Sequence, residues 1–232
     1  MKNKIITFSF DDGTQFDKRL IDLFNKYQMK CTFNINAGLY NFSFVHNQTN
    51  NIVNCRHMDI KEMENIYRGH EIAMHTYTHP HIASCSKEEI YKEVHDDIEK
   101  LKQDFHLDNI VSGAYPFGEY NEDVVDVLKQ LGIKICRTTN NTYRYDVDGD
   151  LLIYNPTIYY RDPLLKQQLE QFLNLKTNKK QVFCIWGHSY EFEVYNEWDY
   201  FESILKMIAN KDDIDYLTTG EAFANDDSGV VK

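Results

Sequence analysis

Near the start of the chain, the β-prone run Ile5-Ile6-Thr7-Phe8-Ser9-Phe10 leads straight into Asp11-Asp12-Gly13. A short apolar run of this kind, ended by a glycine turn, reads as a buried strand of an α/β protein. In such folds ligands bind just beyond the carboxyl ends of the strands. Two adjacent carboxylates at that position are therefore candidates for chemistry. An Asp-Gly turn accounts for the same residues, because both favour turns, and the rest of the chain has to decide.

Strand and helix signals alternate along the whole sequence. Residues 16–28 carry Leu20, Leu23, Phe24 and Tyr27 at helical spacing, and residues 31–36 form a second strand closed by Gly38. Residues 39–56, rich in Asn, read as a long surface loop. Asp59 then caps a short helix with Ile60, Met63 and Ile66 on one face, ending at Gly69. A strand at 70–74 is followed by an amphipathic helix at 87–105, which opens on the capping box Ser86…Glu89. Further strands are expected at 110–114, 133–136, 151–154, 182–186 and 216–217, with helices at 122–131, 164–175 and 200–209. The tail from Asp226 reads as frayed. Seven or eight β/α units with short links predict one domain over residues 1–232, an α/β fold with a parallel sheet closed into a barrel. An open doubly wound sheet is the alternative, but no G-x-G-x-x-G follows a strand.

Bulk properties narrow the function. A formal charge of -11 excludes a basic nucleic-acid-binding face and disfavours anionic lipid. No signal peptide and no membrane-length apolar segment is present, so the chain reads as cytoplasmic, or as secreted if an export signal has been removed. Cys31, Cys55, Cys85, Cys136 and Cys184 are widely spaced without a C-x-x-C pair, which predicts reduced structural thiols.

Three further signals fall at strand ends. His75-Thr76-Tyr77-Thr78-His79 places two imidazoles four residues apart. Such a spacing lets both converge on one ion if the segment turns helically, and one carboxylate of Asp11-Asp12 completes a set suited to a divalent metal. Gly113-Ala114-Tyr115-Pro116-Phe117-Gly118 is a rigid loop, and Trp186-Gly187-His188 ends a strand on a histidine poised for proton transfer near neutral pH.

Together these motifs resemble the polysaccharide deacetylase family, carbohydrate esterase family 4, also described as the nodulation-protein deacetylase homology domain. The marks are Ser9-Phe10-Asp11-Asp12-Gly13, His75-Thr76-Tyr77-Thr78-His79-Pro80, Tyr115-Pro116-Phe117-Gly118 and the late His188. The resemblance implies a distorted (β/α) barrel of about seven parallel strands and the removal of acetyl groups from N-acetylated sugars. It implies that Asp12, His75 and His79 bind a divalent ion, usually zinc, with cobalt, nickel, iron or manganese as alternatives. Asp11 would be the base, the Phe117 N–H would bind the oxyanion and His188 would be the acid. Tyr115, Pro116, Phe117, Tyr190 and Trp198 are the candidate substrate contacts, while Tyr120, Tyr159 and Tyr160 are loop aromatics able to stack on sugars.

The chain also departs from the family pattern. The Arg that normally opens the third motif and orients the base is Ala114 here, and Arg137, at the end of the following strand, is expected to reach Asp11 instead. No Asp or Trp supporting His188 can be assigned by motif; Glu191, Asp162 and Trp198-Asp199 are the candidates. Two other readings compete: a hydrolase of a small non-sugar amide on the same fold, and a catalytically weak carbohydrate-binding relative. Neither nucleic acid nor membrane is expected as a partner, and the oligomeric state is left open.

Overall fold

The computed structural model describes residues 1–47 and 49–232. In chain order these form β1 (Lys4–Asp11), α1 (Asp17–Lys26), β2 (Thr32–Ile35), β3 (Ser43–His46), β4 (Val53–Arg56), α2 (Ile60–Met63), β5 (Glu71–Met74), α3 (Lys87–Phe105), β6 (Ser112–Ala114), α4 (Glu122–Gln130), β7 (Ile135–Arg137), β8 (Ile158–Tyr159), α5 (Leu165–Asn174), β9 (Gln181–His188), α6 (Ser189–Val194), α7 (Trp198–Ile208) and β10 (Ile214–Tyr216). The parallel sheet runs β7-β6-β5-β2-β1-β9-β8, and β10 pairs with the first residues of β1. Curled with its helices outside, it is a distorted (β/α) barrel.

The two faces of β1 show why this sequence positions a site. Phe8 and Phe10 face the helices: Phe8 meets Phe24 of α1 at 4.7 Å, and Phe10 meets Phe192 of α6 at 5.7 Å. Burying each such ring contributes about 1.5–3 kcal/mol. The alternate residues face the barrel interior, where Ile5 joins Ile135, Val182 and Phe223 in an apolar plug. Ser9 and Asp11 share that inward face and come nearer the carboxyl end of the strand. A one-residue slip of register would turn both outward and expose the two phenylalanines, so the aromatic layer also fixes the polar one.

β7 and β8, the two ends of the sheet order, are joined through irregular chain. Tyr154 exchanges bonds with β7 (Thr138 N to Tyr154 O 2.8 Å, Tyr154 N to Cys136 O 3.0 Å), while Thr142 and Tyr143 bond to Pro156 and Thr157. This corrects the expected strand at 151–154: Leu151–Ile153 is a 3₁₀ turn capped by Asp150. Two other expectations change. The Asn-rich loop at 39–56 contains the antiparallel hairpin β3–β4, position 48 lying outside the described residues. The C-terminal tail is docked rather than frayed, since Gly69 N and Val231 N bond across to Val231 O (2.8 Å) and His70 O (3.0 Å). Its apolar Val231 is buried, which supplies the reason. The expected capping box forms at Ser86–Glu89, and the Asp59 cap closes a second one with Glu62.

Candidate active site

The carboxyl ends of β1, β2, β5, β7 and β9 converge. In the ladders, Asp11 stands abreast of Asn34 on one side and His188 on the other. Asn34 Nδ2 donates to Asp11 Oδ1 (2.8 Å) and to Ser9 Oγ (2.8 Å). Arg137 crosses the interior from β7: Nη2 lies 2.5 Å from both Asp11 oxygens, Nε donates to Ser9 Oγ (3.0 Å) and Nη1 to Thr138 O (2.9 Å). Both side chains are almost wholly buried, and the indole of Trp186 covers the guanidinium at 5.0 Å. Ala114 is the register partner of Arg137, so the cation enters from the strand next to the one that carries it in the family pattern. Burial by itself would raise Asp11, but the charges of Arg137, His75 and His188 and the Arg137 hydrogen bond together outweigh it and hold the carboxyl at about 2.

Asp12 diverges from its neighbour because its backbone is left-handed (φ 80°), followed by Gly13 at φ 66°. Thr76, His79 and Phe117 are also left-handed (φ 62°, 56° and 57°). For L-residues this conformation costs about 1–2 kcal/mol each, and such strain clusters at functional sites. The turns bring Asp12 Oδ1 to 3.6 Å from His75 Nε2 and 3.8 Å from His79 Nε2. All three donor atoms lie within 4.8 Å of one another, the one such cluster among the described residues. His75 Nδ1 is 2.8 Å from the Ala114 carbonyl; that nitrogen must carry the proton, which leaves the Nε2 lone pair facing the cluster. Burial pushes His75 down to about 4, so its ring is neutral at pH 7. Two neutral-capable imidazoles and one carboxylate, aimed at a common point with one ring locked from behind, fit a divalent ion.

His188 faces the same point, its Nε2 3.9 Å from Asp11 Oδ2 and 4.0 Å from Asp12 Oδ2. Behind it, Glu191 Oε2 lies 3.3 Å from His188 Nδ1 and accepts from the His188 amide at 3.1 Å. Tyr159 OH holds the other Glu191 oxygen at 2.6 Å. Burial disfavours the charged ring, but the carboxylates of Glu191, Asp12 and Asp11 together outweigh it, Glu191 foremost among them, and His188 is pushed up to about 10.

The rim matches the sequence reading only in part. Phe117 is half exposed, stacked on His81 at 4.2 Å and edge-on to His79 at 4.7 Å. Its left-handed turn is completed by Gly118, where φ is 73° and a Cβ would run into Thr139. Tyr190 lies beside His188 at 5.2 Å. Tyr115 and Pro116, by contrast, are buried, and Tyr115 OH donates to Leu152 O at 2.5 Å. Tyr160 is likewise core, packed on Phe192 at 4.4 Å. Trp198 is removed from the site as well: it is buried on Phe192 under Arg19, with Nε1 donating to Glu193. A tryptophan on the apolar stripe of α7 packs inward, and this stripe begins at residue 198 rather than 200. Asp162 serves Tyr143 and Asn141, and Asp199 is exposed; neither supports His188.

Asn34 and the Ser9 hydroxyl are support residues that the sequence reading does not assign, and Tyr159, expected as a sugar-stacking aromatic, instead holds Glu191. The available signal was polar residues alternating at a strand's carboxyl end, since Asn34 lies abreast of Asp11 in the ladder and Ser9 shares the Asp11 face. Tyr159 had no local signal, because its contact to Glu191 spans 32 residues.

The sequence profile described as polysaccharide deacetylase matches residues 1–136, more than half of the chain. The matched span holds Asp11, Asp12, His75, His79 and the Tyr115–Gly118 loop; Arg137 and His188 lie beyond it. No curated protein sequence matches. Among solved structures, the carbohydrate esterase domain of a multidomain xylanase from the hindgut metagenome of Trinervitermes trinervoides is 17% identical over 99% of this chain and 95% of that chain, with a TM-score of 0.60. A family 4 carbohydrate esterase from Streptomyces lividans, in complex with acetate, is 14% identical over 89% of this chain and 90% of that chain, TM-score 0.56. A family 4 pseudoenzyme from Bacillus anthracis is 15% identical over 96% and 66%, TM-score 0.55. At these identities the likeness is one of fold, and because it extends to a pseudoenzyme, activity has to be argued from the site. From the profile match and the fold together, the chain belongs to the polysaccharide deacetylase family, hydrolases that act on non-peptide carbon–nitrogen bonds.

Proposed function

We propose that the protein removes N-acetyl groups from N-acetylated sugars in a metal-dependent hydrolysis. The single observation that carries the reading is the convergence of three groups on one point at the strand ends. These are the Asp12–His75–His79 donors, an ionised Asp11 held by Arg137, and a protonated His188 held by Glu191.

Asp12, His75 and His79 would hold the ion. A divalent ion bound there supplies Lewis acidity, lowering the pKa of water towards neutrality and polarising a carbonyl. Asp11 takes the proton of the attacking water. Its orientation comes from Asn34 on one oxygen and Arg137 on both, in an interior that excludes solvent. The Phe117 N–H, presented by the left-handed turn, donates to the oxyanion that develops on the acetyl oxygen. His188 Nε2 gives its proton to the leaving nitrogen, and Glu191 keeps Nδ1 protonated throughout. Tyr190 and Phe117 offer their faces to the sugar ring beside the acetamide.

The test is a substrate-class screen with zinc-loaded protein. Acetate release from N-acetylglucosamine oligomers, lost in Asp11→Asn, supports the reading. Turnover of small cyclic amides without acetate release from any sugar would replace it with the small-amide reading. Sugar binding without turnover of either would replace it with the binding-protein reading.

A further inference from the structure

α3 buries Ile90, Val94, Ile98 and Leu101 at helical spacing, and Asp97 lies fully buried in the same stripe. A carboxylate among apolar neighbours is costly unless it is fully hydrogen-bonded. Its partners here are two backbone amides from two different strand ends. Oδ1 accepts from Ala37 N (2.8 Å), just past β2, and Oδ2 accepts from His75 N (2.9 Å), just past β5. No basic side chain pairs with it among the described contacts.

The same two segments are stitched further. Asn36 Nδ2 donates to the carbonyls of His75 (2.5 Å) and Thr76 (2.9 Å), and Gly38 N donates to Tyr77 O (2.9 Å). With Nδ1 on the Ala114 carbonyl, every polar atom of His75 except Nε2 has a fixed partner. The one left over is the atom aimed at Asp12 and His79. The clamp also spans the left-handed Thr76, the residue whose conformation turns the chain so that His79 returns to the cluster.

We propose that Asp97 is a positioning residue for the ion site, a buried double acceptor that ties the ends of β2 and β5 together and thereby aims His75 Nε2. This rests on the reading of Asp12, His75 and His79 as metal ligands. Asp97 touches neither ion nor substrate; its effect passes through the His75 backbone. In Asp97→Asn one acceptor becomes an NH₂ facing a backbone N–H, so one amide loses its partner and the two segments part.

Co²⁺ titrated into metal-free protein, followed by visible absorption, reads this directly. Asp97→Asn is expected to raise the Co²⁺ dissociation constant about 10- to 100-fold, the usual effect of losing an outer partner of a ligand, and to alter the absorption spectrum of the bound ion. The control is Glu71→Gln. Glu71 is an equally buried carboxylate on β5, but it accepts from Thr32, Ser112 and Gly220 at the opposite end of that strand. Glu71→Gln is expected to lower the thermal midpoint while leaving the dissociation constant within about twofold. Unchanged affinity in Asp97→Asn, or equal weakening in both variants, overturns the positioning role. If Asp97→Asn does not fold, Asn36→Ala is judged by the same criterion. A wild-type protein that binds no Co²⁺ overturns the metal-site reading itself, a distinguishable failure.

Discussion

Replacing Arg137 by Ala removes the cation that is hydrogen-bonded to both oxygens of the buried Asp11. In the wild type the carboxyl is held at about 2 rather than 3.8, a difference on the order of 2 kcal/mol. Because the folded pKa is depressed, this stabilisation is present above pH 3.8 and is lost as the pH falls towards 2. Without the guanidinium, burial acts on Asp11 against only the histidines and Asn34, and an unpaired buried charge costs about 3–5 kcal/mol. For a chain of this size that lowers the thermal midpoint by roughly 6–20 °C. Scanning calorimetry at pH 7 measures it, and the double variant with Asp11→Asn is expected to recover part of the loss because the orphaned charge has gone. Acetate release is expected to fall about 100-fold or more while metal content stays near wild type, since Arg137 touches none of the three donors. A thermal midpoint within about 2 °C of wild type, together with near-normal turnover, would refute the reasoning.

Three other outcomes follow from the same geometry. Glu191→Gln removes the charge that does most to raise His188, so the alkaline limb of the kcat/KM profile is expected to move down by one pH unit or more, measured by acetate release across pH; an unmoved limb removes Glu191 from the acid's support. Asp17 is buried between Ser189 and Tyr67, and burial raises it from 3.8 to about 7; the raised folded pKa makes stability fall as pH rises through that window, and Asp17→Asn is expected to flatten the slope in denaturant titrations. Trp198→Ala is expected to cost about 3–5 kcal/mol of stability with KM for sugar unchanged, whereas Tyr190→Ala is expected to raise KM with little effect on the thermal midpoint.

What could be read from the chain divides along physical lines. Strand ends announce themselves locally, because apolar runs stop at Asp11, Met74 and His188 and the chemistry sits at those stops. The alternation of strands and helices was sufficient for the barrel, and Arg137 could be expected at Asp11 because a buried carboxylate needs a cation and a vacancy stood at Ala114. Aromatic residues were harder. Tyr115, Tyr160 and Trp198 share composition with Phe117 and Tyr190, and only packing separates rings that fill the interior from rings at the rim. The hairpin β3–β4 escaped because its strands are short, polar and half exposed, with pairing supplied by each other rather than by an apolar run. Asp97 escaped for the opposite reason: its partners are backbone amides, which carry no sequence signature.

The central claim is that one ion held by Asp12, His75 and His79 works with Asp11 on an N-acetylated sugar. Titrating zinc into metal-free protein while following acetate release from an N-acetylglucosamine oligomer tests it most directly. The account predicts release that rises to a plateau at one equivalent of zinc, with Asp11→Asn taking up the same equivalent and releasing nothing. Equal release by the metal-free protein, or no release at full loading, would contradict it.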